Sequence, residues 1–166
     1  MTDMMRWDAL GYMGDPVART PNLDRLAKEG ILYQRAYNQN PLCMPSRSSC
    51  LTGQYPRTMG SWNNGIALYH EAPTFANELH EQGYRTARVG KYHVAPEEVY
   101  RFETVIRANS RNAIEMAERS RSFIEAESER PFFLYFCTSD PHRSGRTVGD
   151  SPLSPNAFGN RAEGYA

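Results

Sequence analysis

The feature that most constrains the fold is an uninterrupted apolar run, Phe132-Phe133-Leu134-Tyr135-Phe136, which follows Pro131. A run of this kind suits a strand that is buried on both faces, because a strand with one solvated face alternates apolar and polar residues. A strand that is covered on both faces is typical of a parallel sheet with helices above and below it. The run therefore predicts an α/β fold.

Helical and extended patterns alternate along the rest of the chain. The predicted helices cover residues 20–30, 45–53, 73–82 and 109–127, and the extended segments besides the apolar run cover 31–37 and 84–89. Thr20 is the predicted cap of the first helix, and Gly30 and Gly53 are predicted helix ends. Long loops are predicted over 54–72 and from Ser139 onward. This alternation predicts a mostly parallel sheet flanked by helices, with ligands at the carboxyl ends of its strands.

Charge and cysteine content exclude several classes of protein. The 166 residues carry 19 Lys and Arg against 19 Asp and Glu, so the chain lacks the broad cationic field of a general nucleic-acid or membrane-surface binder. No apolar run approaches the roughly 20 residues of a membrane-spanning helix. Three cysteines, Cys43, Cys50 and Cys137, are odd in number and form no metal-binding pattern. We expect no disulfide framework.

Cys43-Met44-Pro45-Ser46-Arg47 lies where a loop enters a predicted helix. Backbone N–H groups and the helix dipole at that position favour an anion, so a thiol nucleophile facing a phosphate ester is one interpretation. The loop of the cysteine phosphatases, however, has a longer gap between its Cys and Arg than the three residues found here. The other interpretation is a buried cysteine that only packs. The residues alone leave both open.

This motif, which continues to Leu51-Thr52-Gly53, resembles the signature of the sulfatase family of the alkaline phosphatase superfamily. The resemblance implies an alkaline-phosphatase-like fold and conversion of Cys43 to formylglycine by a formylglycine-generating enzyme. It also implies that Arg47 stabilises the formylglycine and neighbouring anionic oxygens. The implied substrate is a sulfated small molecule or saccharide.

Two further motifs each follow a predicted strand: Gly90-Lys91-Tyr92-His93 and Asp140-Pro141-His142. Alternation along an extended chain would put Lys91 and His93 on one side. Without the resemblance, these residues would be an ordinary surface lysine and ordinary histidines. The resemblance implies that Lys91 binds a sulfate oxygen and His93 orients or deprotonates the aldehyde hydrate. It implies that His142 binds at the leaving-group side and acts as the general acid.

The resemblance also implies a divalent metal, with calcium expected and magnesium or manganese as alternatives. Its predicted ligands are Asp3 and the formylglycine derived from Cys43. Met4 stands where family members commonly have a second acidic ligand, and a thioether is a poor ligand for a hard cation.

Several segments of the second half resemble the heparan N-sulfatase (sulfamidase) branch of the family, which acts on an N-sulfate of glucosamine. They are His93-Val94-Ala95-Pro96-Glu97-Glu98-Val99-Tyr100, Arg130-Pro131-Phe132-Phe133-Leu134-Tyr135, Asp140-Pro141-His142-Arg143-Ser144-Gly145 and Phe158-Gly159-Asn160. The family's later Ser-Asp-Asn-Gly segment, with two more metal ligands, has no counterpart. We therefore expect residues 1–166 to be a partial N-terminal catalytic domain, without the first strand and the C-terminal half, and inactive alone.

Three functional hypotheses follow. The first is a sulfuric ester or sulfamate hydrolase acting on a sulfated sugar. The second keeps the fold but hydrolyses a phosphonate monoester or phosphodiester. The third is a non-catalytic, truncated remnant. Many members of the family are exported, but these residues do not predict a compartment.

Overall fold

The computed structural model describes residues 1–69 and 72–142, and the elements within them follow the predicted alternation. Helices cover Pro21–Glu29 (α1), Cys43–Thr52 (α2), Pro56–Met59 (α3), Phe75–Glu81 (α4) and Ala113–Ile124 (α5). Strands cover Arg85–Gly90 (β1), Thr104–Ile106 (β2) and Phe132–Cys137 (β3), and short 3-10 helices cover Gly11–Met13 and Glu97–Val99. The predicted loop after His142, with the Arg143-Ser144-Gly145 and Phe158-Gly159-Asn160 motifs, lies outside the described residues.

The chain is divided into two compact units. The first contains Met1–Asp3 and Asn38–Ser139, and so includes the sheet and four of the α-helices. Of the described residues, the second contains Met4–Tyr37 and residues 140–142, and it includes α1. No helix in the described part of the chain combines the length and apolar character that crossing a bilayer requires.

The sheet of the first unit has the strand order β2-β1-β3, and both pairings are parallel, as predicted. Ala87 in the central strand pairs with Thr104 on one side and Leu134 on the other. β2 was not predicted. The expected burial of the apolar run on both faces was wrong for most of it, because Phe132 is exposed, and Phe133, Leu134 and Phe136 are half-buried. Within the run, Tyr135 alone is fully buried.

The core of the first unit gathers beneath the carboxyl ends of β1 and β3. Its buried members are Leu51, Met59, Leu68, Val94, Val99, Tyr100, Tyr135 and Cys137. Phe102 stacks against Tyr135 at 5.9 Å between ring centroids. The Tyr100 hydroxyl donates to Ser48 Oγ at 2.9 Å, and burial raises the pKa of this tyrosine to about 12. Each fully buried large side chain contributes roughly 1.5–3 kcal/mol, so this cluster fixes α2 against the strand ends.

Helix α2 begins two residues earlier than predicted. Cys43 is its first residue, after Leu42 in an extended conformation, and Gly53 ends it with a φ of 67°. Thr20 does occupy the N-cap position of α1, but its hydroxyl makes no capping bond. It donates instead to Asp24 Oδ1 at 2.8 Å and accepts from the Gly11 N–H at 2.8 Å. The predicted cap was therefore right in position and wrong in function.

The extended segment predicted over 31–37 is not a strand. It belongs to the second unit, and Ile31, Tyr33 and Tyr37 are exposed. A strand requires a hydrogen-bonding neighbour, and the three strands in the described part of the chain all belong to the first unit. The loop predicted over 54–72 also contains the short helix α3.

The first residues of the chain lie beside β3. The Met1 ammonium donates to the Phe136 carbonyl at 2.7 Å, and the Met1 carbonyl accepts from the Thr138 N–H at 3.1 Å. These two bonds bring Asp3 to the carboxyl end of the sheet.

Candidate active site

The candidate site lies at the carboxyl ends of β1 and β3, where Gly90 turns the chain with a φ of 84°. A Cβ added to Gly90 would lie 2.1 Å from the Cys137 carbonyl oxygen, so the two strand ends meet too closely for any side chain. Immediately after this turn, the Lys91 N–H donates to the same carbonyl at 2.7 Å. Gly90 and Cys137 therefore fix the backbone from which the Lys91 side chain extends.

Cys43 contributes its side chain from the first residue of α2. Its Sγ lies 3.6 Å from Lys91 Nζ and 3.8 Å from Asp3 Oδ1, and the residue is half-buried. Cys137, in contrast, is fully buried in the apolar core. The amino end of a helix is a positive end of the backbone dipole, so Cys43 lies where negative charge is favoured.

Asp3 joins the two cations of the site. Its Oδ2 accepts from Lys91 Nζ, and its Oδ1 lies 3.5 Å from Arg47 Nη2. Asp3 is only 4% exposed and Arg47 only 2% exposed, so their attraction is weakly screened by water. Two cations against one carboxylate leave a formal charge of +1 in the group.

Arg47 connects α2 to both strands. Its Nη1 donates to the Lys91 carbonyl at 2.9 Å and lies 3.5 Å from the Tyr135 hydroxyl. Burial acts to lower the pKa of Arg47, but Tyr135, Cys137 and Asp3 outweigh it, and the pKa is raised. The Arg47 guanidinium is therefore charged at neutral pH.

Tyr135 is a member of this site that the sequence did not predict. Burial raises the pKa of its phenol, so the hydroxyl beside Arg47 stays protonated at neutral pH. One feature of the sequence could have indicated this role: Tyr135 is the one residue of the apolar run that has a side-chain hydroxyl, and it lies two residues before the end of β3. Such a hydroxyl needs a polar partner when the strand is buried.

The backbone argument that placed Lys91 and His93 on the same side was wrong. β1 ends at Gly90, and both Gly90 and His93 have positive φ angles, of 84° and 47°. The chain is not extended across this segment, so alternation does not apply. His93 is exposed. Its role in the reaction stays a prediction.

His142 lies in the turn after β3, where Asp140 begins the second unit's later segment, and it is half-buried. Its role as general acid also stays a prediction. Met4, in the same unit, has a φ of 55° and an exposed side chain. Of the predicted site residues, the first unit brings together Asp3, Cys43, Arg47 and Lys91.

The contacts within the first unit do not by themselves fit a hard divalent cation. Calcium takes six or more oxygen ligands, and magnesium requires near-ideal octahedral geometry. Asp3 supplies one carboxylate, and both of its oxygens pair with the cationic side chains of Arg47 and Lys91. The predicted metal therefore stays a prediction.

Comparison with known proteins identifies the family. The family model described as Sulfatase matches residues 1–164, and the chain therefore belongs to the sulfatase family. Human N-sulphoglucosamine sulphohydrolase is 30% identical over 166 residues, which cover 93% of this chain and 33% of that protein. An ulvan-active sulfatase of Formosa agariphila is 45% identical over 94 residues, covering 57% of this chain and 18% of the relative.

Solved structures share the fold. BT4656, in complex with its substrate D-glucosamine-2-N,6-O-disulfate, aligns with a TM-score of 0.77 and 27% identity over 86% of this chain and 34% of that chain. The phosphonate monoester hydrolase of Agrobacterium radiobacter aligns with a TM-score of 0.70 over 86% of this chain and 40% of that chain. Its identity is 19%, so this second likeness shows the fold alone. The chain spans a third or less of the length of the first curated relatives it matches.

Proposed function

We propose that this chain carries the nucleophile and part of the anion-binding site of a sulfuric ester or sulfamate hydrolase that acts on a sulfated sugar. The observation that carries the proposal is the position of Cys43. Its side chain lies at the amino end of α2, within 4 Å of Lys91 Nζ and Asp3 Oδ1, beside a group with a formal charge of +1. A cysteine that only packs would lie among apolar side chains.

Lys91, Arg47 and Asp3 have separate roles in binding the anion. Lys91 donates to a sulfate oxygen and holds that group next to the side chain at position 43. Arg47 fixes the Lys91 main chain through the carbonyl bond and contributes positive charge from a buried position. Asp3 orients the Lys91 ammonium and limits its movement. Together they position an anion without requiring large rearrangement when it binds.

The reactive group is a formylglycine made from Cys43, which supplies a hydroxyl nucleophile as its hydrate and a second hydroxyl for release of sulfate. The Cys43 thiol is half-buried with polar groups of Asp3 and Lys91 beside it, and these surroundings suit a small polar side chain. His93 is proposed to orient or deprotonate the hydrate, and His142 to protonate the leaving oxygen or nitrogen. A formylglycine-generating enzyme would be the partner that converts Cys43, and a divalent cation, with calcium expected, would complete the site.

The conversion is tested by mass spectrometry of the protein made with and without a formylglycine-generating enzyme. We expect the peptide that carries Cys43 to change from thiol to aldehyde only when the enzyme is present. Cys50, in the same helix, is the matched control and should remain a thiol in both samples. An unmodified Cys43 in a host that converts other sulfatases would favour the non-catalytic remnant.

Turnover is tested with the chain in its full genomic reading frame, using N-sulfoglucosamine, an aryl sulfate and an aryl phosphonate. We expect sulfate release, loss of activity in Cys43→Ala and retention of activity in Cys50→Ala. Preference for the aryl phosphonate would overturn the sulfatase assignment in favour of the phosphonate hydrolase.

We further propose that residues 1–166 alone turn over no substrate. The curated relatives are at least three times as long as the part that this chain matches, and the first unit supplies one carboxylate to the candidate metal site. Sulfate release by the isolated chain above the rate of its Cys43→Ala variant would contradict this.

A further inference from the structure

The first unit also has a concave surface whose lining residues do not include Asp3, Cys43, Arg47 or Lys91. It has a volume of about 500 Å³ and is formed within the first unit. Its lining residues are Gln39, Asn40, Tyr55, Pro56, Arg57, Thr58 and Trp62. We call it the α3 groove.

Two aromatic side chains of the α3 groove are largely exposed, Tyr55 by 66% and Trp62 by 58%. Large aromatic rings are normally buried, because each removes well over 100 Å² of apolar surface from water. Exposed rings that line one concave surface can pack against a ligand that has an apolar face and a polar edge. A sugar ring is such a ligand, because C–H bonds cover its faces and hydroxyl groups surround its edge.

The remaining lining side chains suit a polar, anionic sugar. Gln39, Asn40 and Thr58 offer amide and hydroxyl groups. Arg57 has a planar guanidinium, which can donate two hydrogen bonds to one oxyanion. The lining set contains no acidic side chain that would repel a sulfate group.

The groove is held in shape by bonds that do not involve a ligand. Asn40 Nδ2 donates to the Trp62 carbonyl at 2.9 Å, which joins the loop before α2 to the loop after α3. The Ser61 hydroxyl, fully buried, donates to the Ile66 carbonyl at 2.7 Å. These contacts place the Trp62 backbone before any ligand arrives, which lowers the entropy cost of binding.

The same loops reach the amino end of α2. Asn40 lies three residues before Cys43, and Asn64 Oδ1 accepts from the Met44 N–H at 3.0 Å. Because only three peptide bonds separate Asn40, which lines the α3 groove, from Cys43, the Cα atoms of the two residues lie within about 11 Å of each other. A saccharide whose sulfate lies at Cys43 would extend from there toward the groove.

We propose that the α3 groove is a subsite for a second ring of a sulfated oligosaccharide, with Tyr55 and Trp62 packing on the sugar and Arg57 binding a further sulfate group. This proposal rests on the proposed function for the identity of the ligand. It adds a binding site for a part of the substrate that does not react.

Binding is measured first, because it does not depend on turnover. The chain has two tryptophans, so Trp7→Phe leaves Trp62 as the sole tryptophan reporter. We expect a heparin-derived N-sulfated disaccharide to change Trp62 fluorescence saturably, and calorimetry to show affinity about tenfold lower in Trp62→Ala and Tyr55→Ala. Trp7→Ala is the matched control. No saturable change, or equal affinities in all variants, would overturn the subsite.

The charge contribution is tested with the same disaccharide after removal of its sulfates. Arg57→Ala should weaken binding of the sulfated disaccharide about tenfold and leave that of the desulfated one unchanged. Arg107→Ala, at another exposed arginine, is the control. Equal effects on both sugars would overturn the role of Arg57.

Kinetics separate this proposal from the proposed function. In the full reading frame, Trp62→Ala should raise KM for the disaccharide about tenfold and leave kcat and KM for a small aryl sulfate unchanged. Loss of aryl sulfate turnover in this variant would overturn the subsite by showing a general defect. If no variant and no wild-type sample hydrolyses a sulfate, the proposed function fails, whereas the disaccharide titration still decides the subsite.

Discussion

Replacing Asp3 with asparagine removes the anion that separates two cations in a nearly closed site. The variant keeps the size of the side chain but leaves the buried Arg47 guanidinium and the Lys91 ammonium facing a neutral amide. Removal of one partner from a buried ion pair costs about 3–5 kcal/mol. Arg47 keeps its bond to the Lys91 carbonyl, and the Lys91 side chain is 17% exposed. We therefore expect a loss of about 2–4 kcal/mol in the free energy of unfolding.

Urea denaturation followed by circular dichroism measures this loss as a lower midpoint with an unchanged slope. Asp8→Asn is the matched control, because Asp8 pairs with Arg6 at the surface, where side-chain exposure is 33% and 78%. A surface pair of that kind is screened by water and contributes little to the free energy of unfolding. If Asp3→Asn and Asp8→Asn have the same midpoint, the buried charges do not interact as described.

Two other substitutions test how the sheet is held together. Arg130→Leu should cost about 1–2 kcal/mol by urea denaturation, because Arg130 donates to carbonyls of the turn before β1 and to Glu103 before β2. Burial acts to raise the pKa of Glu103, but the hydrogen bonds from Arg130 and the Thr86 N–H, together with the positive charge of Arg130, outweigh it, and the pKa is lowered. The Glu103 contribution is therefore present above the ordinary glutamate pKa and is lost as pH falls through the lowered value. The difference between wild type and variant should shrink in acid to the part that comes from the two carbonyl bonds. Gly90→Ala should cost about 3 kcal/mol or more, since its Cβ would clash with the Cys137 carbonyl, whereas Gly53→Ala has open space and should cost about 1–2 kcal/mol in thermal or urea unfolding. Equal losses at the two glycines would contradict the close approach of β1 and β3.

The parts of the fold that the sequence predicted are those in which local pattern and tertiary position agree. β3 was recognised from its apolar run, and α2 from the proline and glycine near its ends. β2 has three residues, Thr104–Ile106, and only its pairing with β1 makes it a strand. The segment 31–37 has similar residues and no neighbouring strand in the described part of the chain. Extended propensity is thus insufficient without a partner.

The site was predicted by family resemblance more than by residue chemistry. Asp3 has no local pattern that marks it, and its importance depends on Met1 lying beside β3. The position of Tyr135 beside Arg47 was not predicted, because an aromatic residue within an apolar run indicates packing in the core. The argument that put His93 on the same side as Lys91 failed because it continued the strand through Gly90, where a positive φ ends the alternation. Chain reversals and long-range contacts of this kind are not encoded in the spacing of neighbouring residues.

The contact between Met1 and β3 has a practical consequence for protein production. Met1 makes two main-chain bonds, one to Phe136 in β3 and one to Thr138 just after it, and Asp3 follows two residues later. Residues joined ahead of Met1 would act on the backbone that places Asp3 between Arg47 and Lys91. Measurements of stability and anion binding should therefore compare protein prepared with and without an amino-terminal tag.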